Sequence, residues 1–193
     1  MGIYFDNATT SYPKPDCVLS AMGNYFKNIG ANSGRSARRL TQEASRMVFE
    51  TRENIAKLIG AKDSSRIVFT MNATEGLNLA ILGSLEKGDR VITTSMEHNS
   101  VMRHEAFAVC RRRKRSESRY CKMFRKGCAD IKKKIKKTRL IITTSTSNVV
   151  RTIMPIQEIG KIAKEHNVLF LVDAAQTMGI LPMDVEKNNT NWV

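Results

Sequence analysis

Four short apolar runs punctuate the chain: Arg66-Ile67-Val68-Phe69-Thr70, Arg90-Val91-Ile92-Thr93-Thr94, Leu140-Ile141-Ile142-Thr143-Thr144 and Val168-Leu169-Phe170-Leu171-Val172. Runs that are apolar throughout, rather than alternating, are expected of strands buried on both faces of a parallel sheet. Between them the period changes. Leu40, Ala44, Met47, Val48, Ile55 and Leu58 form a helical stripe that Gly60 ends, and Val18 to Ile29, Leu77 to Leu85 and Ile156 to Glu165 read as further helices. Strands alternating with helices predict an α/β fold, an open, mostly parallel sheet with helices on both faces. Residues 1–15 read as an extended entry segment, its backbone fixed by Pro13 and Pro15, and residues 16–193 as the domain proper.

One stretch breaks the pattern. Residues 105–126 show neither a helical nor a strand period, although a doubly wound domain needs a helix, a turn and a strand between Met102 and Ile131. Residues 103–140 also hold 16 of the 32 Lys and Arg and 3 of the 18 Asp and Glu, so +13 of the net +14 sits there and the rest is nearly neutral. A one-base shift of reading frame would account for this composition, since an arginine codon AGA then becomes glutamate, and one admissible back-translation restores a helix end, a Gly turn and an alternating strand. The coding DNA decides the matter. Read instead as a function, the cluster would make a basic nucleic-acid-binding module. Phe107, Tyr120 and Phe124 are the only aromatics there and no nucleic-acid motif accompanies them, so no specific nucleic-acid partner is expected.

The remaining composition is ordinary. Hydrophobic residues make up 41% of 193 residues, enough for one domain with a core. No apolar run approaches a membrane span, and no basic-then-apolar leader opens the chain, so no membrane partner is expected. Cys17, Cys110, Cys121 and Cys128 show no paired spacing, which reads as a reduced, cytoplasmic chain.

Candidate chemistry lies at the strand ends. The fourth run ends on Asp173, which would deliver a carboxylate to the carboxyl edge of the sheet, where open α/β sheets keep their ligands. Asn72-Ala73-Thr74-Glu75-Gly76 follows the first run and opens a helix, whose first amides favour an anion. His98 follows the second run and Asn148 the third. Each has a plainer reading. Asn72 or Thr74 caps a helix, Asp173 caps a strand-helix junction, His98 sits on the surface of a first helical turn, and Asn148 is a turn residue.

Six patches resemble the cysteine desulfurases, within the class V aminotransferase family of pyridoxal phosphate enzymes: Tyr4 to Ser11, Gly34-Arg35 with Glu43-Ala44, Phe69 to Asn78, Met96 to Arg103, Ser147-Asn148-Val149 with Pro155-Ile156, and Val172 to Gln176. The likeness covers residues 1–103 and 138–190. It implies that residues 16–193 form part of a pyridoxal-phosphate-binding large domain of the aspartate-aminotransferase type. It implies pyridoxal 5'-phosphate as cofactor, with its phosphate on the Ala73 amide and Thr74 hydroxyl. His98 would stack on the ring and shuttle protons, and Asp173 would hold the ring-nitrogen proton. Gln176 would donate to the ring's phenolic oxygen, and Asn148 would reach that oxygen or the substrate carboxylate. Catalysis would thus fall to His98 and Asp173. The intact family takes sulfur from L-cysteine, a step that feeds iron-sulfur cluster assembly, and its members are homodimers. Another class V enzyme, such as a selenocysteine lyase or an aminotransferase, fits the same patches.

Departures accompany the likeness. Relatives read His-Ala-Ser-Asn-Val-Thr-Gly-Thr where this chain reads Ser145-Thr146-Ser147-Asn148-Val149-Val150-Arg151-Thr152, so Arg151 replaces a glycine in a tight turn. They carry Gly-His where Ala37-Arg38 stand. The lysine that carries the cofactor, the substrate-carboxylate arginine and the persulfide cysteine of the family have no counterpart in these 193 residues. Lys187 reads as a solvated surface residue. The chain by itself is therefore expected to be inactive.

Overall fold

A computed structural model describes residues 3–34, 38–86, 89–102, 116–121 and 127–193, with only the backbone given at 116–121. The elements are α1 (Asp16–Asn24) continued by a wider π turn (Tyr25–Ile29), α2 (Arg39–Ile59), a 3-10 turn (Ser64–Arg66), α3 (Ala73–Ser84), β1 (Asp89–Thr94), α4 (Asn99–Met102), β2 (Ser116–Cys121), α5 (Gly127–Lys134), β3 (Thr138–Thr144), α6 (Ile156–Glu165) and β4 (Leu169–Asp173). They fall into two compact units, Met1–Lys57 with Lys62–Ile67, and Leu58–Ala61 with Val68–Val193.

In the first unit, Gly30 ends the π turn at φ 52°, a left-handed conformation that glycine takes without strain. The outer face of α2 is laced by Arg39–Glu43 and Arg46–Glu50 pairs one turn apart, each 2.7 Å long. Arg52 Nε donates to the Ile67 carbonyl at 3.1 Å, and Ser64 bonds to Glu53.

The second unit holds the sheet. Its order is β2-β1-β3-β4, and every pairing is parallel. Successive side chains of a strand point to opposite faces, and this sheet uses both. Ile92, Ile141, Phe170 and Val172 pack against Ile131 and Ile135 in and just after α5, and against Ile159, Ile162 and Ala163 of α6. Val91, Leu140, Ile142 and Leu171 pack against Leu77 and Ile81 of α3 and Val101 of α4. Helices on both faces of a parallel sheet are what the apolar runs predict.

Two expectations need correction. Arg66 to Thr70 is not a buried strand. Ser64–Arg66 is a 3-10 turn, residues 67–70 join no ladder, and Val68 is 65% exposed. A strand needs a free edge beside it as well as apolar side chains. The outer edge of β4 is taken by the terminal segment, where Val172 N–H donates to the Trp192 carbonyl at 3.0 Å and Asn191 N–H to the Phe170 carbonyl at 2.9 Å. The second correction concerns the stretch that fits no period. Ser116–Cys121 forms β2, in parallel register from Asp89↔Ser116 to Thr94↔Cys121. The rest of residues 105–126, including the arginine cluster, lies outside the described residues.

Candidate functional site

The site is built at the carboxyl edge of the sheet, where β1, β3 and β4 end side by side. Thr144 and Asp173 are partners in the ladder. Asp173 is 7% exposed. Its Oδ1 accepts the Ala175 N–H at 3.0 Å, and its carbonyl accepts both the Ser145 N–H at 2.8 Å and the Ser145 hydroxyl at 3.0 Å. Ser145 Oγ also meets Thr177 Oγ1 at 2.6 Å. Both readings of Asp173 therefore hold together: one oxygen caps the turn after β4, while the carboxylate sits at the edge. Gln176 lies half-buried on that turn.

α3 reaches the same edge with its amino end. The turn from α3 into β1 is closed by Asp89 N–H to the Glu86 carbonyl at 3.2 Å and Glu86 N–H to Asp89 Oδ2 at 2.7 Å. So short a link makes the helix run antiparallel to β1, which puts Ala73 and Thr74 towards the carboxyl ends of the strands. Asn72 caps the helix, its Oδ1 taking the Glu75 N–H at 2.9 Å, while Glu75 Oε2 takes the Met71 N–H at 2.6 Å. This capping leaves the Ala73 and Thr74 amides without a hydrogen bond among the described residues, with the positive end of the helix behind them. Ala73 is exposed and Thr74 half-buried.

His98 caps α4. Its Nδ1 accepts the Ser100 N–H at 3.2 Å and lies 2.7 Å from the Ser100 hydroxyl, while its carbonyl accepts Val101 N–H at 2.9 Å. With Nδ1 accepting, the neutral ring carries its proton on Nε2.

Asn148 is exposed on a tight turn after β3. Ser147 Oγ takes the Val149 and Val150 amides at 3.4 Å each, and Arg151 N–H closes on the Ser147 carbonyl at 2.9 Å. Here the turn-residue reading describes what the side chain does. Arg151 stands at φ 55°, so the arginine occupies the left-handed backbone that a glycine takes freely. Arg151→Gly is expected to stabilise the chain by about 1 kcal/mol, seen as a higher urea midpoint at unchanged slope. An unchanged midpoint would remove the strain argument.

Sequence reasoning gave Glu97 no role. Its backbone is partly exposed, but its Oε2 is sealed from solvent and has no partner, and its Oε1 is held by the Thr94 hydroxyl. Burial pushes its carboxyl up to about 7, the nearby Asp173 charge adds to the rise, and the Thr94 hydroxyl and Thr144 amide oppose it. Thr93 Oγ1 and Thr146 Oγ1 are likewise buried without partners among the described residues. Buried polar atoms are seldom left unpaired, so their gathering at one edge marks it as a place for a polar ligand. An open cleft of about 320 Å³ lies nearby, lined by Ser145 and Thr177 with Met154, Ile156 and Leu181; none of the predicted site residues lines it.

No lysine or thiol of the described residues stands ready at this edge. Lys187 Nζ pairs with Asp184 Oδ2 at 2.8 Å on the surface. Cys17 is exposed in α1, and Cys128, half-buried in α5, lies 3.5 Å from Glu158 Oε2, its thiol held above its usual range by burial and by that carboxylate.

A parallel sheet covered on both faces, with an acid and a helix amino end at its carboxyl edge, defines the class: the open α/β fold of the pyridoxal-phosphate-dependent transferases. The model of the class V aminotransferase family matches residues 3–191, and the chain belongs to that family. It is 37% identical over 199 residues to a probable cysteine desulfurase of Pyrococcus abyssi, covering 99% of this chain and 48% of that protein. It is 38% identical over 197 residues to the mitosomal cysteine desulfurase of Trachipleistophora hominis, covering 97% and 44%. Among solved structures it is similar to the apo cysteine desulfurase of Thermococcus onnurineus NA1, with a TM-score of 0.89 at 35% identity over 98% of this chain and 48% of that one. It is also similar to SspA in complex with cysteine, with a TM-score of 0.85 at 31% identity over 97% and 55%. The chain thus spans about half the length of the relatives it matches. The family depends on pyridoxal phosphate. No helix among the described residues is long and apolar enough to cross a membrane.

Proposed function

We propose that this chain forms the non-covalent part of a pyridoxal phosphate site of the cysteine desulfurase type, acting on L-cysteine or a similar amino acid. The observation that carries this is the pairing at one sheet edge of a buried carboxylate, Asp173, with the unbonded Ala73 and Thr74 amides at the start of α3. The donor set fits the group. The amides and the Thr74 hydroxyl would take its phosphate, and Asp173 would hold the proton on its ring nitrogen. When bound, the cofactor supplies an electron sink for the substrate α-carbon. The residues themselves bind and orient. Asp173 is fixed by the Ala175 amide, so its carboxylate does not swing away from the edge. His98 keeps Nε2 available for a proton while Ser100 locks Nδ1. Gln176 and Asn148 stand on the loops after β4 and β3 and would serve polar atoms of ring or substrate. The relatives named as desulfurases and the neighbour bound to cysteine support the choice of substrate class.

Pyridoxamine 5'-phosphate is the probe, because it cannot form an imine with surface lysines. Fluorescence titration is expected to show saturable binding that weakens about tenfold or more in Thr74→Ala and in Asp173→Ala, the size of one lost charge-assisted contact. Equal affinity in wild type and both variants would reject the site. With pyridoxal phosphate and cysteine, the chain alone is expected to release no sulfide or alanine above a cofactor-only blank, since no lysine or thiol of the described residues is placed at this edge.

A further inference from the structure

Two acids reach the carboxyl edge, and the reading above uses only one. Asp173 closes β4 and is buried. Glu97 follows β1 by three residues, with Oε1 on the Thr94 hydroxyl and Oε2 buried and unpartnered among the described residues. Two carboxylates cannot both ionise cheaply in a dry site, and an unpaired buried oxygen makes the second charge costlier still.

We propose that Glu97 is the second member of a two-acid pair with Asp173, and that it holds the pair's proton so that Asp173 is the single anion of the site at neutral pH. The groups that bear on Glu97 come from three strand ends. The Thr94 hydroxyl and amide face it from β1, the Thr144 amide from β3 and the Asp173 carboxylate from β4. Its chain neighbour His98 has Nδ1 engaged by Ser100. Burial and Asp173 both favour the neutral form, and the hydroxyl and amides oppose it. Glu97 is a positioning residue: it acts through Asp173 by setting the charge an entering cation meets, one negative charge while the proton stays and two once it leaves. This stands on the unliganded chain and does not depend on which cofactor enters.

The test is a ¹³C NMR titration of the whole chain labelled at Glu Cδ and Asp Cγ, from about pH 4 to about pH 9. One glutamate carbon is expected to titrate near neutrality, and its resonance is absent from Glu97→Gln. The Asp173 carbon is expected to show a second inflection at the same midpoint, and Asp173→Asn to lower the Glu97 midpoint by roughly half a unit or more. A purely structural Glu97 would show none of this coupling. Titration of Glu97 in the ordinary glutamate range overturns the proposal, as does an Asp173 carbon with no inflection at the Glu97 midpoint. That second criterion is read on wild type, so it decides even if Asp173→Asn does not fold.

Discussion

Gly160→Ala is expected to destabilise the sheet unit by about 3 kcal/mol or more, a large share of the stability of an ordinary domain. Gly160 lies within α6, where alanine usually helps by roughly 0.5–1 kcal/mol. Here the sign reverses. A Cβ at Gly160 would stand 1.8 Å from the Asn188 carbonyl oxygen and 2.9 Å from its carbonyl carbon. Those are backbone atoms of a segment with little room to move. Asn188 N–H is bonded to the Asp184 carbonyl, Val185 N–H to the Ile59 carbonyl, and Asn191 N–H to the Phe170 carbonyl, each at 2.9 Å. Relief of the clash would pull α6 off Phe170 or strip the segment from β4. Gly83→Ala in α3 is the control: a Cβ at Gly83 would meet nothing within 4 Å, so this variant is expected to gain about 0.5 kcal/mol. Urea unfolding of the two variants separates the effects. Stabilisation by both would mean that α6 and the terminal segment are not in this contact.

The second large effect follows from Glu97 and is read as stability against pH. The folded carboxyl titrates at about 7 and the ordinary value is 4.5, so between them the folded chain binds the proton that the unfolded chain has lost. Stability from this group is therefore complete below pH 4.5 and is lost as pH rises through about 7. The loss amounts to about 3 kcal/mol. Glu97→Gln keeps the shape and removes the titration. The difference between variant and wild type is expected to be near zero in mild acid and to grow to about 3 kcal/mol in favour of the variant in mild base. Other titrating groups cancel in that difference. A flat difference across the range would mean that the carboxyl is solvated in the folded chain.

Much of this architecture was legible in the amino-acid order. β1, β3 and β4 are apolar throughout because both faces are covered, and the two clusters around Phe170 and Leu140 are the physical form of that pattern. Arg66 to Thr70 has the same local signature but no strand beside it, and apolar character says nothing about a hydrogen-bonding partner. β2 fails in the other direction. Its residues carry no strand signature, yet parallel pairing with β1 places them in the ladder. At the site, Asp173 and the Asn72 cap were readable because each is local to a strand end or helix start. Arg151 was readable as a misfit, and its left-handed backbone shows why. Glu97 was not. Nothing beside it in sequence tells that the ends of β3 and β4 enclose its carboxyl, and its neighbour His98 has the more familiar chemistry.

The most direct test of the central claim, that the end of β4 and the start of α3 bracket one ligand, is a ¹⁵N–¹H NMR titration with pyridoxamine 5'-phosphate. The Ala73 and Thr74 amides report the phosphate end and the Ala175 amide, bonded to Asp173, reports the ring end. Both sets are expected to shift together and saturate at one ligand concentration. Movement at one end alone, or at two different affinities, would contradict the account.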